Sequence, residues 1–369
     1  MRGRPVTLHL PSSLQSPVDS HSIGFDNTRT DVIATSIVPA PPDHLKLEWV
    51  YGYRGKDCRS NLYALGTGEC VYFMAGVCVL YNVAEDSQRH YIEHTDDIKS
   101  LAVHPDKVTI ATGQSTGHGG ERAKAHVRIW DAVTLNTLKV IGLANGDLFN
   151  NAVCCLSFSK TDGGAMLCCV DDGNDKWLSV WQWESGARVA ATKCYGDLVF
   201  AAEFHPIQPN LMVTCGKQHI IFWHVDPVSQ HLVKRSGIFD AADKPKYVLC
   251  VAFNVNGGDI VSGDSDGSIL FWNVKENRVT HAIKNAHDGG VFAIMTKEDQ
   301  TTMITGGKDG SLVEWTCTSN QQYERQRSLN LPEQSGSVRF IASMSVTGGG
   351  SGEGGMFLVG TTRNSIYQV

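Results

Sequence analysis

Several stretches of the sequence bring together residue types that could do chemistry. GDSDGSILFWNV (263–274) opens like a calcium loop. An EF-hand loop needs acidic residues at alternate positions, Gly at the sixth and a bidentate Glu at the twelfth. Counted from Asp264, the Gly comes fourth and the twelfth residue is Lys275, a cation where a carboxylate is required. VDDGNDKW (170–177) carries three carboxylates, in a composition that favours turns over metal binding. TGGKDG (305–310) resembles a phosphate loop, yet Asp309 stands where Ser or Thr should follow Lys308, and Thr302 replaces the leading Gly. GQSTGHGG and TGGGSGEGG (347–355) open onto no helical pattern, which removes the helix N-terminus that a phosphate cradle needs; the second reads as a mobile linker between two strands. The eleven cysteines are odd in number and lack C-x-x-C spacing, and the pairs Cys154–Cys155 and Cys168–Cys169 sit in strand-like runs as small hydrophobes. We therefore expect no catalytic residue, metal site or cofactor, and a protein that is not an enzyme.

What survives in 263–274 is a tight turn at Asp266–Gly267 joining DIVSG to the alternating run SILFWNV, a hairpin signature. That pattern recurs. The aromatic ends of the equivalent runs are Tyr81, Trp130, Trp181, Trp223, Trp272 and Trp315, with Val369 in the seventh place, at spacings of 49, 51, 42, 49, 43 and 54 residues. Two further β runs precede each, so every unit predicts a small antiparallel sheet.

A period in the forties with Trp130–Asp131 and Trp272–Asn273 resembles the WD repeat, whose units form the blades of a β-propeller. The resemblance implies a tetrad of His, Ser or Thr, Asp and Trp inside a blade, and one unit supplies all four: His287, Thr305, Asp309 and Trp315. Asp175, Asp266 and Asp309 each lie six residues before their Trp, where a turn could aim a carboxylate back at the blade. Lys124, Lys217 and Arg363 take that offset in other units, which are expected to be held mostly by apolar packing.

Ahead of the repeats, LKLEWVYGYRGKDCRSNLYAL (45–65) places Leu47, Trp49, Tyr51 and Tyr53 on one face if extended, a face that needs covering. This segment strongly resembles the hydrophobic motif (HELP) of the echinoderm microtubule-associated protein-like family. RGRPVTLHLP (2–11), YGYRGKDCRSNLY (51–63), VLYNV (79–83), LAVHPDKVTIATGQ (101–114) and VGTTRN (359–364) extend the likeness over nearly the whole chain. The resemblance implies an all-β, seven-bladed WD-repeat β-propeller that contacts tubulin or microtubules as a non-catalytic scaffold, located in the cytoplasm on the microtubule cytoskeleton. It also implies three regions: a polar, irregular segment over 1–44, the HELP motif over 45–65, and the propeller over 62–369. The family's second propeller, trimerising coiled coil and basic linker are not recognised in the sequence. The alternative is a general WD-type adaptor, such as a ubiquitin-ligase substrate receptor, without tubulin contact.

Val369 falls where the third strand of the seventh unit ends, so that blade is expected to be incomplete, with KLEWVYGY (46–53) supplying a closing strand or packing across it. Net charge is −6 and no apolar run reaches the length of a membrane span, which argues against nucleic-acid and membrane partners. Within that acidic balance, Lys124, Lys217, Lys244, Lys246, Lys308 and Arg363 fall in turns that the repeat register gathers on one face, a candidate contact surface for an acidic partner such as tubulin.

Overall fold

Alternating β-branched and aromatic residues punctuated by turn pairs fold each repeat into an antiparallel sheet. The computed structural model describes residues 46–117, 123–143, 149–226, 228–239, 244–254, 259–297, 301–318, 322–344 and 356–369. The expected irregular segment 1–44 and the Gly-rich run 347–355 lie outside them. Among the described residues there are six four-stranded sheets and one of three strands, each in sequential order. They form the seven blades of a β-propeller, spanning 63–91, 98–141, 153–193, 199–236, 248–283, 291–330 and 338–368.

The turn at 264–268 shows how local chemistry fixes a blade. The Asp264 carboxylate accepts the backbone N–H groups of Asp266 and Ser268, both at 2.8 Å. Gly267 turns the chain at φ 87°, and a Cβ there would lie 2.3 Å from the His287 carbonyl oxygen, so only glycine fits.

Two irregularities recur. In blades 2 to 7 the inner strand carries one extra residue near its start: Lys99, Cys154, Phe200, Leu249, Phe292 and Arg339 each fall between paired neighbours. In blades 2, 3, 5 and 6 the outer strand gains a residue beside Trp130, Trp181, Trp272 and Trp315. Bulges of this kind increase local twist and redirect a side chain.

Apolar cores lie between blades, not within them. Each buried cluster joins consecutive sheets, as where Val261, Ile269 and Phe271 of blade 5 meet Val291, Met303, Val313 and Trp315 of blade 6. The interface that closes the ring sets Leu62, Cys70, Tyr72 and Val79 of the first blade region against Ala342 and Leu358 of the seventh, with Tyr53 between them.

Tyr53 arrives on a segment that forms no strand. KLEWVYGY supplies no fourth strand to blade 7, whose outer described strand is Ile366–Gln368. It packs across the junction instead. Val50 exchanges two hydrogen bonds with the Gln88 side chain of blade 1, and the Gly55 N–H donates to Asn364 Oδ1 of blade 7 at 3.0 Å. The expected one-sided face is not formed either. Tyr53 is 4 % exposed, but Tyr51 is 84 % exposed and Leu47 is also exposed, while Trp49 turns edge-on to Tyr81 with centroids 6.0 Å apart. Alternation fails because hydrogen bonding here runs to side chains of two different blades, with no neighbouring strand to keep the pleat.

Gly55 is the tightest point of this closure: a Cβ would stand 2.0 Å from the Thr361 carbonyl oxygen and 2.9 Å from the Tyr53 ring. Gly55→Ala is expected to destabilise the fold by about 1–3 kcal/mol, the usual penalty of overpacking. Urea denaturation monitored by tryptophan fluorescence measures this, and a midpoint equal to wild type would show that the segment does not clamp the ring.

Candidate functional site

A buried indole must find an acceptor for its N–H, and each central tryptophan does so on a Ser or Thr hydroxyl, four of them on the neighbouring second strand and Trp181 on its own strand. Trp315 Nε1 donates to Thr305 Oγ1 at 2.9 Å, Trp272 to Ser262 at 2.8 Å, Trp223 to Thr214 at 2.9 Å, Trp181 to Ser179 at 2.9 Å and Trp130 to Thr112 at 3.2 Å. In blade 6 the chain of bonds continues from Thr305 to His287 Nε2 at 2.8 Å, and from His287 Nδ1 to the Asp309 carboxylate at 3.2 Å. Burial keeps the His287 imidazole below its ordinary pKa, against the attraction of Asp309. Desolvation opposes charge on Asp309, yet the N–H groups of Ser311 and Asp288 hold its carboxyl below the ordinary value.

A second network of this type escaped the sequence reading. His94 bonds to Thr112 Oγ1 at 2.7 Å through Nε2 and to Gln114 Oε1 at 2.9 Å through Nδ1, so Gln114 plays the part of Asp309. The signal that could have found it is spacing: His94 to Thr112 and His287 to Thr305 are both 18 residues apart. Burial depresses the His94 pKa to about 3. In the blades with Lys124 and Lys217 at the tetrad offset, Thr112 and Thr214 add a hydrogen bond to each indole beside the apolar packing.

Two of the three carboxylates expected to point at their blades do not. Asp175 is exposed and pairs with Lys193 at 2.8 Å. Asp266 accepts from Ser265 Oγ, while buried Asp264 organises that turn. In each case the turn satisfies its own N–H groups from another residue, which frees the outer carboxylate for solvent.

The expected basic residues lie in the turns between second and third strands or in the loops entering blades, all on one face. Those turns are tied to both neighbouring loops: the Lys217 N–H donates to the Leu198 carbonyl of its own blade, and the Gln218 N–H to the Lys246 carbonyl at the start of blade 5. This brings Lys217, Lys244 and Lys246 together across blades 4 and 5. Lys308 and Arg363 sit on blades 6 and 7, and Lys124 stands apart on blade 2. Their surroundings are mixed in sign. Lys217 pairs with Asp197 at 2.7 Å, and Lys176 with Asp172 at 2.6 Å on the same face. Lys244 and Lys246 are exposed, with their ammonium groups 5.9 Å from the Phe239 ring and 5.3 Å from the Tyr247 ring.

At the axis, the inner strands of all seven blades line a cavity of ≈ 420 Å³ that includes Arg59, Phe200, Glu203, Leu249, Phe292 and Arg339. The sequence reading singled out none of these. Among the described residues no group of three or more His, Cys, Asp or Glu side chains could hold a metal ion, and no helix is long and apolar enough to cross a membrane.

Residues 87–369 match the family model described as the echinoderm microtubule-associated protein first beta-propeller, and residues 40–79 match the HELP motif. The chain belongs to the echinoderm microtubule-associated protein family. It is 48 % identical over 370 residues to human echinoderm microtubule-associated protein-like 1, covering 100 % of this chain and 42 % of that protein. It is 46 % identical over 366 residues to the 77 kDa echinoderm microtubule-associated protein of Lytechinus variegatus, covering 99 % of this chain and 50 % of that protein. The chain thus spans about half the length of these relatives. A chain of a mitotic checkpoint complex structure shares the fold alone, at TM-score 0.67 and 12 % identity over 98 % of both chains.

In this family member the buried imidazoles make stability depend on pH. His94 is held neutral in the fold down to about pH 3, whereas an unfolded histidine takes its proton near 6.5. Its contribution is present in full above pH 6.5 and is lost progressively as pH falls toward 3. Between pH 6.5 and 4.5, wild-type stability is expected to fall by up to about 2 kcal/mol more than that of a His94→Leu variant. Urea midpoints across that window test it, and parallel curves for the two proteins would contradict it.

Proposed function

We propose that the propeller is a non-catalytic scaffold that binds tubulin or microtubules through the face carrying the turns between second and third strands, and that the protein acts on the microtubule cytoskeleton in the cytoplasm. The observation that carries this reading is membership of a family whose members are named microtubule-associated, over essentially the full length of this chain. The turn at Lys217–Gln218 is hydrogen-bonded to the loops on either side, which gives a partner a preorganised surface there and lowers the ordering cost of binding.

Lys244 and Lys246 are the contacts proposed first, with Lys124, Lys308 and Arg363 around them. Lys217 contributes less, since Asp197 already balances its charge. Exposed ammonium groups beside aromatic rings offer an acidic partner both electrostatic steering and apolar contact.

Co-sedimentation with polymerised tubulin, beside pull-down of soluble tubulin, tests the reading. The double variant Lys244→Glu, Lys246→Glu is expected to weaken binding about threefold to tenfold and to flatten its salt dependence. A folded variant that binds like wild type would remove this surface; no binding of either tubulin form by the wild-type chain would favour the adaptor alternative.

A further inference from the structure

The inner strands of blades 2 to 7 each carry one bulge residue near their start, and of these Phe200, Leu249, Phe292 and Arg339 line the axial cavity. In blade 1 the inner strand is only Tyr63–Ala64, and Arg59 stands ahead of it. None of the four bulge residues is acidic, and Arg59 and Arg339, on the adjacent blades 1 and 7, are both basic.

Arg59 reaches across the axis. Its Nη1 donates to the Leu249 carbonyl of blade 5 at 2.9 Å, and its guanidinium lies 4.2 Å from the centre of the Phe200 ring of blade 4. Arg339 Nε donates to the Cys58 carbonyl at 3.1 Å, which brings it beside Arg59, and its guanidinium lies 4.9 Å from the Phe292 ring. A guanidinium has five N–H donors, and each of these uses one on a backbone carbonyl. Among the described residues, neither pairs with a carboxylate. Glu203, in the same cavity, takes a hydrogen bond from Ser157 at 2.9 Å, and the cation facing it is Lys160. Burial and the neighbouring Arg339 charge pull the Arg59 pKa down to about 10, and burial lowers that of Arg339 as well.

Two like charges, half-desolvated and held on aromatic faces with donors to spare, form a preorganised receptor for a planar anion. We propose that Arg59 and Arg339 form a carboxylate-binding site at the mouth of the propeller channel, filled by an acidic side chain of a protein partner or by a small dicarboxylate. The flanking Phe200, Leu249 and Phe292 give it an apolar rim. The site is distinct from Lys244 and Lys246, so its failure and theirs can be told apart.

The test is calorimetric titration at low salt with a hexaglutamate peptide and, separately, with glutarate. Wild type is expected to bind at least one. Arg339→Gln should weaken binding about tenfold, the loss of one charged hydrogen-bonding partner; Arg339→Lys should recover part of it, and Lys234→Gln on the outer strand of blade 4 should leave it unchanged. Binding of glutarate identifies a small-molecule site, and binding of the peptide alone an acidic segment. In wild type, ligand should also shift the guanidinium Nε–H resonances of both arginines, a readout that does not depend on a variant folding. No binding of either ligand, equal binding by folded Arg339→Gln, or unmoved guanidinium resonances would each overturn the proposal.

Discussion

A propeller has to close. Each sheet buries one face against the next, and nothing inside a blade says which neighbour is the last, so the junction of blades 7 and 1 governs the whole ring. Here the described residues bring no strand from the N-terminal segment onto the seventh sheet. A wedge does that work. Tyr53 stands edge-on to Tyr72 with centroids 5.8 Å apart and reaches Gly360, where a Cβ would approach its hydroxyl to 2.4 Å. Burial drives its phenol pKa far up, which favours the neutral ring. The same short segment also touches other parts of the ring. Arg54 bonds to Asp57 at 2.8 Å and lies 3.4 Å from Asp97 and from the Ile98 carbonyl of blade 2, Cys58 accepts from Arg339 of blade 7, and Arg59 crosses to blade 5. The HELP residues therefore act as a hub at the channel mouth, and changes there are felt on several blades at once.

Inside the blades, magnitudes decide what matters. Truncating a buried aromatic costs about 3–5 kcal/mol, whereas a satisfied hydrogen bond contributes about 1 kcal/mol net. The indole N–H still cannot be left bare, since an unpaired buried donor is penalised more than a paired one is rewarded. This explains why the Ser or Thr acceptor is found at all five tryptophans while the outer histidine and acidic partner are not. The acceptor answers a need created by burying the ring; the outer pair only fixes where the loop above it lies.

The repeat, the tryptophans and the number of blades were legible because each rests on local chemistry: alternation, a tight turn and one large apolar side chain per unit. Blade 6 could be read to its hydrogen bonds for the same reason. The equivalent network in blade 2 was hidden because Gln114 comes from the second strand, not from the turn that carries Asp309. Tyr51 departs from the alternation because a strand needs a partner to hold its pleat, and this segment forms no strand. Arg59 and Arg339 were illegible for a different reason. They lie 280 residues apart in the sequence, and only closure of the ring places them side by side.

The two kinds of positive charge on this propeller differ in physical character. On the open face, ion pairs such as Lys217 with Asp197 and Lys193 with Asp175 interleave the signs, and solvent screens what remains beyond roughly 8–10 Å at ordinary ionic strength. Such a surface steers a partner and tunes its rate of arrival more than it holds it. At the axis, Arg59 and Arg339 are partly buried, where a charge is screened less than on the open face. An acidic partner that engaged both would be steered by the rim and oriented by the two guanidinium groups, because the latter are fixed by hydrogen bonds to backbone carbonyls.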